Sequence, residues 1–451
     1  MQVITHKSSD NLAAMDSWPA IRVPDLPGLG PETLIWDTPT GGLAPSARGH
    51  LATIYACGIT PYDATHVGHA ATYIAWDLLI RSWRDSGHAV RYIQNVTDVD
   101  DPLLERAARD GQNWRELADR EIDVYRSDMA ALRLLPPDHL IGAVEALDVI
   151  EEFSGVLANL GTLYDVDGDV YFSRSADHDF GSVSRLDNEA MIKLAAERGG
   201  DPGRPGKKDP LDPVVWVARR PGEPSWDSRF GQGRPGWHVE CAAIATNYLD
   251  RTFDVQAGGS DLIFPHHELS ASHARVAFGT PGSSANDAFA RRYVHSAMVR
   301  LDGEKMSKSL GNLVFVSALR GSGTDPMAIR LAILAHHHRQ DWDWTTEGLA
   351  AANRRLKRWR DAVRVGLTEP TGMTHEPGPA SSAEPDAASA AVLAAIRARL
   401  ADDLDAPGAL AVVDRWAEEM LAGSRSDPVA DMTGSARLVR DAVDVLLGVA
   451  L

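Results

Sequence analysis

The sequence predicts an α/β protein with a Rossmann-like core, a segment inserted into that core, and an α-helical region after it. Three observations carry this reading. Stretches at 51–57, 90–96 and 252–256 read as strands, the first around the apolar run Ile54 to Ala56, and alternate with stretches of helical spacing, as βαβ units require. An H-x-G-H motif, His66 to His69, falls between the first of these strands and the helical pattern ATYIAWDLLIRSW. From about Asp325 onward only helical spacing remains.

Taken in chain order, residues 1–33 form a polar, proline-punctuated extension without the apolar centre of a signal peptide. No stretch of the chain is apolar enough for long enough to span a bilayer, so a cytoplasmic protein is expected. The core runs from about 34 to 320. Within it, 120–225 is the inserted connective segment, with two amphipathic helical patterns, a strand pattern from Tyr164 to Phe172 and the loop ERGGDPGRPGKKDP. A helical stem is expected over 325–365. Residues 366–390, rich in Pro, Ser, Ala and Gly, read as a linker. A last helical module covers 391–451 and ends in VDVLLGVAL.

The net charge of −18 works against nucleic acid as a partner unless positive charge is gathered locally. Residues 391–451 do not gather it: they hold six Arg and no Lys against ten Asp and Glu.

The chemistry-bearing residues cluster in motifs. The chain has two cysteines, Cys57 in IYACGITPYD and Cys241 in GRPGWHVECAAI. By composition alone such a pair fits buried core, a disulfide or a metal site. With His266 of SDLIFPHHE they form a donor set that suits zinc, since soft thiolates and one imidazole bind it well. Three protein ligands leave a fourth position open, as in catalytic rather than structural sites.

His66, Gly68 and His69 lie where a strand turns into a helix, and a helix N-terminus offers phosphate unpaired N–H groups and a positive dipole end. Far downstream stands the pentapeptide Lys305, Met306, Ser307, Lys308, Ser309, flanked by Gly303 and Gly311. Its chance occurrence in a chain this long is on the order of 10⁻⁴. Two lysines on such a loop can close over a pyrophosphate leaving group.

These two motifs are the HIGH and KMSKS signatures, and the chain resembles the class I aminoacyl-tRNA synthetases, most closely the cysteinyl branch. The resemblance runs from about Leu34 to Asp343 and returns at ADDLDAP, taking in QNVTDVDD, GEPSW, GRPGWHVEC, GGSDLIFPHHE and KMSKSLGN. It implies a Rossmann-like class I synthetase catalytic core. It further implies that Cys57, Cys241 and His266 hold one zinc ion per chain, and that Thr60, Thr97 and Trp237 line the amino-acid pocket. His66, His69, Lys305 and Lys308 would serve catalysis on ATP carried with Mg²⁺. Gly68, Gly259, Ser260 and Asp261, with Lys308, would bind ATP and the adenylate.

One departure is informative: the glutamate that usually completes the zinc shell of cysteinyl-tRNA synthetases is Ser270 here. The run His336 to His338 cannot face one ion from a helix, where successive residues point about 100° apart. His267 is expected as structural support behind His266, and Glu240 as a local hydrogen-bond partner.

The 391–451 module leaves no room for the additional anticodon-binding domain of cysteinyl-tRNA synthetases. A cysteine-activating core without it points to a small acceptor. In CGITPYDATHVGHAATY, in ERGGDPGRPGK, in Ser270 and in Gln256, the chain resembles the L-cysteine:1D-myo-inositol 2-amino-2-deoxy-α-D-glucopyranoside ligases of mycothiol biosynthesis. It departs from them at Ala257, where a third glycine is usual, and in its long N-terminus and linker.

This resemblance implies ATP, L-cysteine and glucosaminyl-inositol as substrates, cysteinyl-adenylate as the intermediate, and no tRNA. The alternative is a cysteinyl-tRNA synthetase with a reduced C-terminus.

Overall fold

The computed structural model describes residues 14–279, 288–306, 311–368, 386–426 and 432–451. A short antiparallel hairpin, β1 (Leu34–Asp37) and β2 (Gly42–Pro45), precedes the central sheet. That sheet has five parallel strands: β3 (Leu51–Ala56), β4 (Ala89–Val96), β5 (His139–Gly142), β10 (Phe253–Gly259) and β11 (Ala290–Ser296). Their spatial order is β11-β10-β3-β4-β5. The chain therefore builds outward one way from β3 and the other way from β10. In a doubly wound sheet, ligands bind at the carboxyl ends of the two strands where that direction reverses.

Helices cover both faces. α1 (Val67–Asp85) follows β3, and α2 (Asp101–Asp110) and α3 (Trp114–Ala131) follow β4. After β5 come α4 (Leu147–Asn159) and then an antiparallel sheet that interrupts the core: β6 (Leu163–Val166), β7 (Asp169–Phe172), β8 (Val214–Ala218) and β9 (Gly233–Pro235), with α5 (Asn188–Glu197) between β7 and β8. Strand β5 lies inside the 120–225 stretch read as inserted, so the chain pairs once more with the central sheet before the antiparallel sheet begins. The single strand pattern at 164–172 is a hairpin, because Asp167 and Gly168 both take positive φ and turn the chain back.

α6 (Trp237–Tyr248) and α7 (Glu268–Phe278) flank β10. A small sheet of β12 (Val299–Leu301), β13 (Glu304–Lys305) and β14 (Trp342–Asp343) follows. The rest is helical: α8 (Val316–Gly321), α9 (Pro326–Leu334), α10 (Thr346–Leu367), α11 (Ala387–Ala401), α12 (Ala406–Ser426) and α13 (Thr433–Leu447).

The alternation of β3 fixes the layers. Ala52, Ile54 and Ala56 enter a core shared with α1 and the C-terminal helices, whereas Tyr55 and Cys57 enter a second core with α4, α6 and α7. Cys57 is thereby aimed at the side from which Cys241 comes.

Residues 391–451 share the first core rather than standing apart from it. A buried ion network fixes them there. Asp77 of α1 accepts from Arg81 Nε at 2.7 Å and from Arg330 of α9. Arg330 also donates to the carbonyls of Leu447 at 2.6 Å and Leu132 at 2.9 Å. Residues 14–33 are likewise tied down: Trp18 is buried and its Nε1 donates to the Leu134 carbonyl at 2.9 Å.

Candidate active site

Three chain segments meet where the winding reverses. Cys57 directly follows β3, Cys241 lies in the second turn of α6, and His266 sits in the irregular turn after β10. All three are buried, and their ligand atoms lie within 4.8 Å of one another. His266 Nε2 is 3.2 Å from Cys241 Sγ, and the two sulfurs are 3.9 Å apart.

Burial pushes the Cys57 thiol well up. Cys241 is buried too, but its hydrogen bonds from Cys57 and His266 hold it well below the usual thiol range. A thiolate is thus already favoured at one of the two sulfurs. Desolvated sulfur with an imidazole beside it is a donor set for a soft or borderline cation, so the residues fit zinc.

The turn from β3 leaves no space to spare. Gly58 N donates to Asn95 Oδ1 at 2.9 Å, and a Cβ on Gly58 would stand 1.6 Å from the Asn95 carbonyl oxygen. Behind the triad, Gln256 Nε2 lies 3.2 Å from Cys57 Sγ. His267 Nε2 lies 3.3 Å from the same sulfur, and its Nδ1 is 2.8 Å from His295 Nε2. Burial drives both His267 and His295 toward the neutral ring.

Ser270 donates to the His238 carbonyl at 3.1 Å and is not part of the cluster. Ala257 keeps its methyl in the core, and its carbonyl accepts from Cys57 N at 3.0 Å.

On the other side of the reversal, His66 caps α1, its Nδ1 accepting from Gly68 N at 3.1 Å. His69 stacks on it at 3.8 Å between ring centres. A Cβ on Gly68 would meet the His66 ring at 2.8 Å, so a larger residue there would displace the capping ring. Gly259, Ser260 and Asp261 turn away from the end of β10, next to β3 in the sheet. Lys308 and the side chain of Lys305 lie outside the described residues. The arrangement gathers the thiol–imidazole cluster and the His66-capped N-terminus of α1 at the carboxyl ends of β3 and β10.

Comparison with known proteins agrees with this geometry. Residues 44–354 match the model of the tRNA synthetases class I (C) catalytic domain. The L-cysteine:1D-myo-inositol 2-amino-2-deoxy-α-D-glucopyranoside ligase of Thermomonospora curvata is 58% identical over 443 residues, covering 97% of this chain and 100% of the relative. The ligase of the same name from Streptosporangium roseum is 56% identical over 437 residues, with coverage of 97% and 100%. The chain belongs to this ligase family.

As a member of the ligase family it is an ATP-dependent, amide-forming enzyme built on a class I synthetase domain. Among solved structures, methionyl-tRNA synthetase of Mycobacterium tuberculosis bound by methionyl-adenylate superposes with a TM-score of 0.59 at 18% identity, over 88% of this chain and 89% of that one. LeuRS of Agrobacterium radiobacter K84 gives 0.63 at 12% identity, over 90% and 84%. Both show the shared fold.

Against this family background, Thr60 and Trp237 line a cleft of about 710 Å³ beside the triad. Trp237 stacks on His266 at 4.3 Å between ring centres, with 18° between the planes. Thr97 is buried beneath, its Oγ1 accepting from Asn95 Nδ2 at 3.1 Å.

Glu240 departs from the sequence expectation. It is fully buried, and neither carboxyl oxygen finds a hydrogen-bond partner among the described residues. Burial, then nearby Asp100, push its pKa well above the usual range, so it sits as a neutral acid.

His336 stacks on Trp342 at 4.1 Å, and His338 meets the edge of Trp76. The three-histidine run therefore serves packing.

Sequence reasoning overlooked several residues. His238 Nδ1 lies 3.0 Å from His266 Nδ1 and shares the cleft wall with Trp237. Arg198 of the inserted segment donates to the Asp261 and Phe264 carbonyls, fastening the insert to the turn that carries His266. His238 was visible inside WHVEC, but nothing in its spacing marks the contact.

Proposed function

We propose that this ligase joins L-cysteine to the glucosamine amine of 1D-myo-inositol 2-amino-2-deoxy-α-D-glucopyranoside through cysteinyl-adenylate, as a step of mycothiol biosynthesis in the cytoplasm. The observation that carries the amino-acid half of this reading is the buried Cys57–Cys241–His266 cluster beside the His66-capped helix. Cys57, Cys241 and His266 would hold a zinc ion, which when bound would supply a thiophilic Lewis acid and separate cysteine from serine more sharply than an apolar pocket does.

Trp237, flat against His266, orients that imidazole and walls the amino-acid pocket with Thr60; Thr97 holds the Asn95 amide from below. The cysteine carboxylate attacks the α-phosphorus of Mg²⁺-bound ATP and pyrophosphate departs. The N-terminus of α1, with His66 and His69, supplies partial positive charge for the departing pyrophosphate, and the resemblance assigns Lys305 and Lys308 to the same task. Gly68, Gly259, Ser260 and Asp261 hold the nucleotide. The acceptor amine, bound as a cation and having given up one proton, then attacks the acyl carbon in its neutral form, and the C–N bond forms as the bond to AMP breaks and a second proton is released.

The test is mass analysis of products from zinc-replete protein, ATP and cysteine, with glucosaminyl-inositol in one tube and tRNA in another. The expected result is the cysteinyl amide with tRNA left uncharged; cysteinyl-tRNA alone overturns the reading.

A further inference from the structure

The cleft that begins at Thr60 and Trp237 continues well past the amino-acid pocket, between the start of α2 and the ERGGDPGRPGK loop. Its two walls differ in charge arrangement. On the loop side Asp169 and Asp201 are each shared between two donors, and Arg198 is taken by main-chain carbonyls. Asp169 receives Arg204 and, at 2.7 Å, Arg220, while Asp201 receives Tyr171 and, at 2.8 Å, Lys207.

Such a wall carries little net charge, but it offers donors and acceptors in close alternation. Carboxylates and guanidinium groups held this way suit a ligand that both donates and accepts at many points, which is the property of a polyol. Arg220 and Asp201 have 39% and 44% of their side chains exposed, so both retain groups open to the cleft.

The helix side is different. Asp100 and Glu105 line it, and neither makes an ion pair among the described residues. Their neighbour Asp101 is taken by Arg234. Three carboxylates, Asp100, Asp101 and Glu105, face one guanidinium, Arg234, and the acidic excess on this wall suits one cationic group. Asp100 stands three residues after Thr97, so this wall is the end adjoining the place where the acyl group is formed. Cation near the reaction centre and hydroxyls away from it match a polyol bearing a single amine, held amine first. The volume of about 710 Å³ lies within the ~300–1,000 Å³ of ordinary small-molecule sites.

We infer that this cleft is the acceptor subsite: Asp100 and Glu105 receive the amino group, and Arg220 and Asp201, on the inserted loop side, bind the distal hydroxyls and select for an inositol-bearing acceptor. The inference rests on the proposed ligase reaction and adds to it the residues that choose the acceptor. It also gives a use to the ERGGDPGRPGK loop, which the activation chemistry leaves without one.

The test compares kcat/KM for glucosaminyl-inositol with kcat/KM for free glucosamine as amine acceptor, in the zinc-loaded full chain. The ratio does not depend on how much enzyme is active, so partial misfolding of a variant does not disturb it. Arg220→Ala and Asp201→Asn are each expected to lower it about tenfold, the worth of one good hydrogen bond. Asp100→Asn with Glu105→Gln raises the acceptor KM and leaves the ratio unchanged, because both acceptors carry the amine. Unchanged ratios in Arg220→Ala and Asp201→Asn, with amide still formed, would overturn the subsite and leave the ligase reading standing. Wild-type protein that exchanges pyrophosphate with cysteine yet never acylates glucosaminyl-inositol would overturn the ligase reading, and the subsite with it.

Discussion

At the scale of single residues, the metal cluster leads to a sharp expectation. Replacing Cys57, Cys241 or His266 with alanine should remove the bound zinc, measured by elemental analysis. Pyrophosphate exchange with cysteine should fall by about a hundredfold or more, while the residual preference for cysteine over serine collapses.

A second expectation concerns Asp98. Burial, reinforced by Glu145, raises its carboxyl to about 7, although Val144 N donates to it at 3.0 Å. In the unfolded chain the same group titrates near 4. Between those values the folded protein holds a proton that the unfolded chain has released, so stability falls as pH rises from about 4 to about 7 and is flat above. Asp98→Asn removes this dependence: its melting temperature should gain on the wild type between pH 5 and pH 8, by an amount equivalent to about 2–3 kcal/mol. A constant gap across that range would show that Asp98 is ionised throughout.

The cluster was legible because thiols are rare in this chain and stand in motifs. Glu240 and His238 were not, because their roles depend on which side chains the fold packs around them.

At the scale of elements, the strands that could be read were those in which apolar and β-branched residues outweigh the polar ones between helical patterns. β5, only four residues long, and β11, whose ARRYVHS carries two arginines at the sheet's edge, gave no such signal. The turn from β3 and the cap of α1 give a third prediction. Gly58→Ala forces a methyl into the Asn95 carbonyl and should lower the melting temperature by several degrees, or abolish soluble folding outright. Gly68→Ala pushes the His66 ring off its capping bond, at about 1 kcal/mol of stability. Its larger effect should be on adenylate formation, seen as a rise in the KM for ATP in pyrophosphate exchange. An unchanged KM would show that the cap has no part in holding the nucleotide.

At the scale of the whole molecule, the linker composition of 366–390 suggested that the last helices stand apart. The buried Asp77–Arg81–Arg330 network argues otherwise, because it ties α1, α9 and α13 through buried ion pairs and the carbonyls their guanidinium groups also reach. Removing one partner leaves a buried charge unmatched, which costs about 3–5 kcal/mol. Asp77→Ala should therefore lower the melting temperature more than any surface substitution. A chain cut at residue 385 should aggregate on size-exclusion chromatography rather than yield a folded catalytic core. Ion pairs of this kind leave no periodic trace, since each partner looks like an ordinary surface charge until the helices are docked.

The two sulfurs of the metal cluster are separated by 184 residues of chain, although they lie 3.9 Å apart in space. Closing a loop of that length costs an unfolded chain about 5 kcal/mol before any bond to a metal is made. In a zinc finger the ligands are near neighbours and the ion recruits the fold. On the proposed zinc reading the order would run the other way: the sheet would close first, and the ion would enter a finished pocket. Chelation should then silence the enzyme without unfolding it, and restoring zinc should revive it at the pace of diffusion into the cleft rather than at the pace of refolding.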